Sequence, residues 1–279
     1  MAPSTENLPA MRTNPKFIFF TDFDGTITTR DSNDYLTDNL GYGQTQRKAG
    51  NRAVLDGSMA FRDSFQEMLD SINTPFDECI KVLIENIQLD PYFKEFYDWA
   101  RSVNMPVVVL SGGMEPIIRA LLEHMIGEDA KDIQIVSNDV VARPGKNINE
   151  EGGWTITFHD ETHVTKISHP CLIRANILYR SFGHDKSLEI RPYAALPEAK
   201  RPTMFYAGDG VSDLSAAKET DLLFAKEGHD LVLWCVKEKV PFTLFRDWSS
   251  ILSTCKAIVN NEVSVKDVAA AGVQEATEQ

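Results

Sequence analysis

Two aspartates one residue apart, in the run Asp22-Phe23-Asp24-Gly25-Thr26, are the side chains best placed to do chemistry. They follow the apolar stretch Phe17-Ile18-Phe19-Phe20, which has the length and composition of a buried parallel strand. Residues two apart on a strand point the same way, so both carboxylates can converge on one ligand. The carboxyl end of such a strand is where open α/β sheets bind ligands. A plainer reading is that Asp22 and Asp24 cap a turn, as Asp before Gly commonly does. Two further runs weigh against it. Ser111-Gly112-Gly113 follows the apolar segment 106–110, and Gly208-Asp209-Gly210-Val211-Ser212-Asp213 follows the apolar segment 203–207. In a parallel sheet all three runs fall along one edge, which gathers three or four carboxylates, hydroxyls and N–H groups made accessible by glycine. Carboxylates alone repel a phosphate. Around a hard cation such as Mg2+, which accepts carboxylate, phosphate and water oxygens together, the set makes sense.

The elements that must hold these runs follow from periodicity. Buried strands are predicted at 17–20, 106–110, 133–137, 203–207 and 222–225, with helices near 115–125, 186–196, 230–237 and 248–259. No convincing strand falls between Ile27 and Arg101. There, apolar residues recur at helical spacing instead, as in Ile80, Leu83, Ile84, Ile87 and in Phe93, Phe96, Tyr97, Ala100. Residues 138–160 alternate apolar and polar around Pro144-Gly145 and Gly152-Gly153, a β-hairpin pattern. The expected fold class is α/β: a Rossmann-like parallel-sheet core of residues 1–27 and 90–279 with an inserted all-helical cap at 28–89. Residues 1–14 and the alanine- and glutamate-rich 262–279 are expected to be flexible.

A net charge of −13 over 279 residues lacks the basic footprint of a nucleic-acid binder and disfavours an anionic membrane surface. An acidic chain can still hold a phosphate where a metal and a few local cations reverse the field. The first fourteen residues have no apolar core of a signal sequence, and no apolar run is long enough to span a bilayer. Cys79, Cys171, Cys235 and Cys255 show neither metal-pair spacing nor a disulfide framework. A cytoplasmic protein with free thiols is expected, with no nucleic-acid or membrane partner.

In their order, the polar runs resemble the four motifs of the haloacid dehalogenase superfamily, in its phosphatase branch. Asp22-Phe23-Asp24-Gly25-Thr26 looks like the first motif, Ser111-Gly112 the second, Lys186 the third and Gly208-Asp209-Gly210-Val211-Ser212-Asp213 the fourth. The resemblance covers nearly the whole chain. It implies that Asp22 is a nucleophile forming an aspartyl-phosphate, and that Asp24 protonates the leaving alkoxide and then deprotonates water. It implies Mg2+ held by Asp22, Asp209 and the main-chain carbonyl of Asp24, with Asp213 completing the metal site or orienting the lysine. Ser111, the Gly112 N–H and Lys186 would grip phosphoryl oxygens, and Thr26 would add a hydroxyl. Lys186 is preferred to Lys166 because it precedes Asp209 by 23 positions, room for one helix and one strand. Lys166, His163 and His169 read as surface or loop residues.

An insertion between the first two motifs resembles the cap that closes over small substrates. The expected partner is therefore a small phosphorylated metabolite, and the protein a monomer or homodimer. Asp31 lies where phosphoserine phosphatases carry a carboxylate for the substrate amine, although Asp31 and Ser32 equally suit helix N-caps. Met68 stands where those enzymes have an arginine for the substrate carboxylate, and a thioether cannot make that bidentate pair. Phosphoserine is disfavoured unless Arg62 or Arg47 substitutes. The chain more closely resembles capped relatives acting on phosphorylated sugars, polyols or keto intermediates of methylthioribose salvage, including uncharacterised fungal members. The run Asp31-Ser32-Asn33-Asp34 offers donors and acceptors to a hydroxyl-rich substrate. The expected activity is Mg2+-dependent hydrolysis of a sugar, polyol or keto-sugar phosphate. Alternatives are a phosphoserine phosphatase, a phosphomutase or phosphotransferase, and a non-catalytic binding or regulatory protein on the same fold.

Overall fold

In the computed structural model, which describes residues 8–159 and 185–277, β1 (Phe17–Thr21) lies near the middle of a seven-stranded sheet. It pairs in parallel with β2 (Val107–Met114) on one side and β5 (Thr203–Gly208) on the other. Beyond β2 come β3 (Gln134–Ala142) and β4 (Trp154–Thr157); beyond β5 come β6 (Leu222–Lys226) and β7 (Thr243–Phe245). Every pairing is parallel except β3 with β4. Without β4, the order is the 3-2-1-4-5-6 of a doubly wound fold, and β1 adjoins the point where strand order reverses.

The central strands are uniformly apolar because both sheet faces are covered. Phe19, Val107, Val109, Phe205 and Phe224 pack on one face against Phe93 and Phe96 of α5 (Phe93–Ser102), Ile118 of α6 (Glu115–Ile126) and Trp248 of α10 (Trp248–Val259). Ile18, Phe20, Val108, Met204 and Tyr206 pack on the other face against Tyr193 of α7 (Ser187–Ala194) and Leu231 of α9 (Asp230–Glu238). Neighbouring strand residues thus enter opposite clusters, as the period of two demands. Trp248 also ties the site to the core, because its indole N–H donates to the Thr26 carbonyl at 2.9 Å.

Between β1 and α5 the chain inserts four helices: α1 (Ser32–Leu40), α2 (Gln44–Leu55), α3 (Phe61–Asp70) and α4 (Phe76–Asn86). The chain leaves and re-enters the core at adjacent points. Thr28 bridges Leu89, the Thr29 N–H donates to the Gln88 carbonyl at 2.9 Å, and the Asp90 N–H donates to the Ile27 carbonyl at 2.8 Å. The β3–β4 hairpin projects from the sheet edge onto these helices and makes a third connection. Gln66 Nε2 donates to Thr155 Oγ1 at 2.7 Å, Arg143 donates to Asp70 Oδ1 at 2.6 Å, and the Trp154 indole donates to the Thr74 carbonyl at 2.9 Å.

The structure departs from the sequence reading at both ends. Instead of a flexible tail, residues Val265–Thr277 form α11, and Val265, Val268 and Ala269 pack against the core at helical spacing. Leu8, Ala10 and Met11 are buried rather than loose, and the Ala10 N–H donates to Tyr193 Oη at 3.4 Å. The three residues of β7 are too few to show a periodicity, so nothing in the sequence announces that strand. The short α8 (Leu214–Ala217) completes the helices. Cys79, Cys235 and Cys255 are buried free thiols. Lys166, His163, His169 and Cys171 lie outside the described residues. Among the described residues, no helix is long and apolar enough to cross a membrane.

Candidate active site

The end of β1 delivers the first carboxylate. The Asp22 N–H donates to the Ala207 carbonyl at 2.9 Å, which carries the β1–β5 ladder one residue past the strand. Asp22 Oδ1 then accepts from the Phe23 N–H at 2.7 Å and pairs with Lys186 Nζ at 2.8 Å. Lys186, the N-cap residue just before α7, is 1% exposed and also donates to Asp213 Oδ1 at 2.6 Å. Burial opposes its charge, but Asp213 and Asp22 outweigh burial and hold the ammonium above the ordinary lysine range.

Asp213 is fully engaged. Its Oδ1 also accepts from Tyr206 Oη at 2.5 Å, and its Oδ2 accepts from the Asp209 and Gly210 N–H groups at 3.0 Å each. A Cβ on Gly208 would fall 2.4 Å from that Oδ2, which is why the turn needs glycine there. Asp213 was expected to complete the metal site or orient the lysine. With four donors filling its acceptor positions, it holds the lysine and the 209–210 turn and has no lone pair left for an ion.

Asp209 faces Asp22 from the end of β5. Its Oδ1 accepts from Thr26 Oγ1 at 3.1 Å, and its Oδ2 lies 3.1 Å from His229 Nδ1. Gly25 adopts φ +76°, and a Cβ there would meet Asp209 Oδ2 at 2.4 Å, so glycine is what allows the two turns to touch. Asp24 points to the inserted helices. Its Oδ1 accepts from the Ser32 N–H at 2.7 Å and its Oδ2 from Asn33 Nδ2 at 3.0 Å, both donors belonging to the first turn of α1. Asp31 caps that helix by accepting from the Asp34 N–H at 2.8 Å. Ser111 Oγ accepts from the Gly113 N–H at 3.0 Å, and the Gly112 carbonyl accepts from Asn138 Nδ2 at 2.7 Å.

These groups enclose a cavity of ≈ 190 Å³. Its floor carries Asp22, Asp24, Ser111, Gly112, Lys186 and Asp209; its roof carries Asp31, Asn33, Phe61 and Phe65. Burial pushes the Asp22 carboxyl up to about 8; Lys186 pulls it down, while Asp213 and Asp209 push it up. Burial, with Asp31 nearby, likewise holds the Asp24 carboxyl well above the usual range. Asp22, Asp209 and Asp213 each place an oxygen within 4.8 Å of the others. Among the described residues, one buried ammonium against that many carboxylates leaves excess negative charge, and oxygen donors are what a hard divalent cation takes. The residues present therefore fit Mg2+, with Asp22 and Asp209 supplying the open carboxylate oxygens.

Five positions expected at the site do not line the cavity. Thr26 is fully buried with its hydroxyl on Asp209 rather than on a phosphate. Asp213 stands behind Lys186. Ser32 contributes its backbone N–H, with its side chain buried. The Arg62 guanidinium lies 4.9 Å over the Phe158 ring, and Met68 is packed in the core. Arg47 does not substitute for the missing cation, since it is bound to Asp34 at 2.6 Å and Asp38 at 2.7 Å. The sequence reading gave no site role to Phe61 and Phe65, and it placed Tyr206 only within the apolar strand 203–207. It named Asn33 only as one polar group in a run; its place beside Asp24 is the signal that run held.

Residues 19–218 match the model of the haloacid dehalogenase-like hydrolase family. The chain is 52% identical to Pdp3-interacting factor 1 of Schizosaccharomyces pombe, over 83% of this chain and 91% of that protein. It is 45% identical to the polyol phosphate phosphatase PYP1 of Saccharomyces cerevisiae, over 91% and 98%. A 2-hydroxy-3-keto-5-methylthiopentenyl-1-phosphate phosphatase of Bacillus cereus is 25% identical over 86% and 96%. Among solved structures, a phospho-aspartyl intermediate analogue of phosphoserine phosphatase shares the fold at a TM-score of 0.57 and 18% identity, covering 86% of this chain and 98% of that one. With a family model spanning most of its length and its strand-end carboxylates, serine and lysine meeting in one cavity, the chain belongs to the haloacid dehalogenase-like hydrolase family, among its phosphatases.

Proposed function

We propose that the chain hydrolyses the monophosphate of a polyol or a similar hydroxyl-rich metabolite, through an aspartyl-phosphate on Asp22 and with Mg2+. The observation that carries this reading is the grouping of Asp22, Asp24 and Lys186 around one cavity, with Lys186 Nζ 2.8 Å from Asp22 Oδ1. Asp22 attacks phosphorus and the ester oxygen leaves, taking a proton from Asp24. Water then attacks the phosphorus of the aspartyl-phosphate, Asp24 takes its proton, and phosphate departs with Asp22 restored. Lys186, the Ser111 hydroxyl and the Gly112 N–H offset charge on the phosphoryl oxygens. Mg2+, held by Asp22, Asp209 and the Asp24 carbonyl, supplies positive charge that lets a carboxylate approach an anionic ester.

The roof supports the substrate class. An amino-acid phosphate needs a cation for its carboxylate, and among the described residues the roof offers Asp31, Asn33, Phe61 and Phe65. A neutral polyol needs hydrogen-bonding groups and an apolar wall, which these residues provide. The relative named as a polyol phosphate phosphatase, at 45% identity, agrees with that preference. A panel of phosphomonoesters assayed by free phosphate in Mg2+ tests the reading. Polyol monophosphates should exceed phosphoserine in kcat/KM, and chelation should abolish turnover until Mg2+ is returned. Phosphoserine as best substrate, or full activity after exhaustive chelation, overturns it.

A further inference from the structure

Outside the cavity, the segment Lys226-Glu227-Gly228-His229, which joins β6 to α9, presses on the two turns that follow β1 and β5. Lys226 Nζ donates to the Gly25 carbonyl at 2.5 Å, and the Leu231 N–H donates to the Asp209 carbonyl at 3.0 Å. Between these two anchors, His229 Nδ1 lies 3.1 Å from Asp209 Oδ2. The ring is held there by its place in the chain, because His229 is the N-cap of α9 and Leu231, two residues on, is fully buried. Among the described residues, His229 is the one basic side chain paired with Asp209. It stands outside the group of oxygens, from Asp22, Asp209 and Asp213, that come within 4.8 Å of one another. It therefore touches a candidate metal ligand without joining the ligand set.

We propose that His229 is a positioning residue for the metal ion: its Nδ1–H fixes the Asp209 carboxylate in the orientation that binds Mg2+, and so governs how tightly the ion is held. The proposal rests on the Mg2+ reading above and deepens it. A carboxylate that ligates a cation offers acceptors alone, about four sites in all, so the hydrogen of the contact must sit on Nδ1. Thr26 Oγ1 takes one site on Asp209 Oδ1 at 3.1 Å, and His229 takes one on Oδ2. Each oxygen keeps a site for the ion, while the two donors stop the carboxylate from turning about its Cβ–Cγ bond. Thr26 does so from the buried side and His229, whose side chain is 41% exposed, from the solvent side. Without His229 the carboxylate is free to swing toward water, and binding the ion has to reverse that freedom. Hydrogen-bond partners of metal ligands contribute about 10- to 100-fold to metal affinity, and a partly exposed one belongs at the lower end.

Mn2+ takes the same oxygen ligands as Mg2+, and its paramagnetic resonance signal falls when the aqueous ion is bound, so it measures affinity without turnover. Metal-free wild type, His229→Ala and His229→Asn are titrated with Mn2+ in the absence of substrate. His229→Ala should raise the Mn2+ dissociation constant by roughly tenfold, and the Mg2+ concentration that gives half-maximal rate by a similar factor. His229→Asn puts an amide nitrogen where Nδ1 stood, and it should return the dissociation constant to within about threefold of wild type. Because the contact is at the surface, the melting temperature of both metal-free variants should stay within about 3 °C of wild type. If His229→Ala binds Mn2+ as tightly as wild type, the positioning role is overturned and the Mg2+ reading stands. Equal weakening in Ala and Asn overturns it as well, since the donor would then not be what matters. A metal-free melting temperature that falls in step with affinity overturns it too, because the loss then comes from the fold. If wild type itself binds no Mn2+, and Mg2+ does not support phosphate release, the Mg2+ reading falls and takes this one with it.

Discussion

Lys186, on the floor of the cavity, has anionic partners at 2.8 and 2.6 Å, and the carboxylate behind it has four donors of its own. Asn33, in the roof, has one of its two polar atoms without any partner. The floor is held by contacts within the protein itself: strand ends, glycine turns and the Lys186–Asp213–Tyr206 chain position its groups. The roof is incomplete by itself. Two aromatic rings, Phe61 and Phe65, line the cavity from that side, and the Asn33 carbonyl behind it is buried without a partner. Preorganised charge suits chemistry that is the same for every phosphomonoester, whereas unsatisfied contacts suit a choice among leaving groups.

Floor substitutions should therefore damage every substrate, and the damage should fall with distance from phosphorus. Asp22→Asn removes the attacking oxygen, and kcat should drop by about 10^4-fold or more on glycerol 1-phosphate and p-nitrophenyl phosphate alike. A loss confined to one of them would put Asp22 outside the bond-making step. Asp24→Asn should cost roughly 10^2- to 10^4-fold on alkyl phosphates and much less on p-nitrophenyl phosphate, because only the alkoxide requires a proton. Equal losses on both esters would remove Asp24 from that role. Asp213→Asn touches neither substrate nor attacking oxygen. It turns a donor toward the Asp209 and Gly210 N–H groups or toward Lys186, and it breaks a buried ion pair, so about 3–5 kcal/mol of stability should go. Thermal unfolding should show the loss, together with a fall in kcat shared by all substrates. An unchanged melting temperature would mean that the floor is not the connected unit described here.

The same contrast explains what could be read in the sequence. The floor was visible because its signals are local. Phe17 to Phe20 form an uninterrupted apolar run because both faces of β1 are covered, and the polar residues after it stand at the strand end by adjacency alone. Lys186 was separable from Lys166 by counting the elements that fit before Asp209. The roof was obscure because one helical stripe has to serve two surroundings. Phe61, Phe65 and Met68 recur on one face of α3, yet Met68 is sealed in the core while both rings line the cavity. Spacing defines a stripe and says nothing of where along it the core ends. Thr26 was misread for a related reason: its hydroxyl is claimed by Asp209, a residue 183 positions away. The seat of the β3–β4 hairpin on α3 and α4 depends on pairs such as Gln66–Thr155 and Arg143–Asp70, which no periodicity connects.

That seat supplies the smallest effect and the sharpest way to separate roof from floor. Arg143 donates to Asp70 at 2.6 Å and to the Trp154 carbonyl at 2.9 Å, with the Arg143 and Asp70 side chains each about a third exposed. Solvent screening limits such a pair to about 0.5–1 kcal/mol. Arg143→Ala should therefore lower the melting temperature by only about 2–4 °C. It loosens the strand that braces the roof and leaves every floor contact as it was. Turnover of p-nitrophenyl phosphate should stay within about twofold of wild type, since a surface change far from the reacting atoms has no named route to a larger effect. KM for glycerol 1-phosphate should rise, because α3 carries Phe61 and Phe65 and loses part of its support. If kcat for both substrates fell together, as expected for Asp213→Asn, roof and floor would be one mechanical unit, and the hairpin would brace the chemistry rather than the choice of substrate.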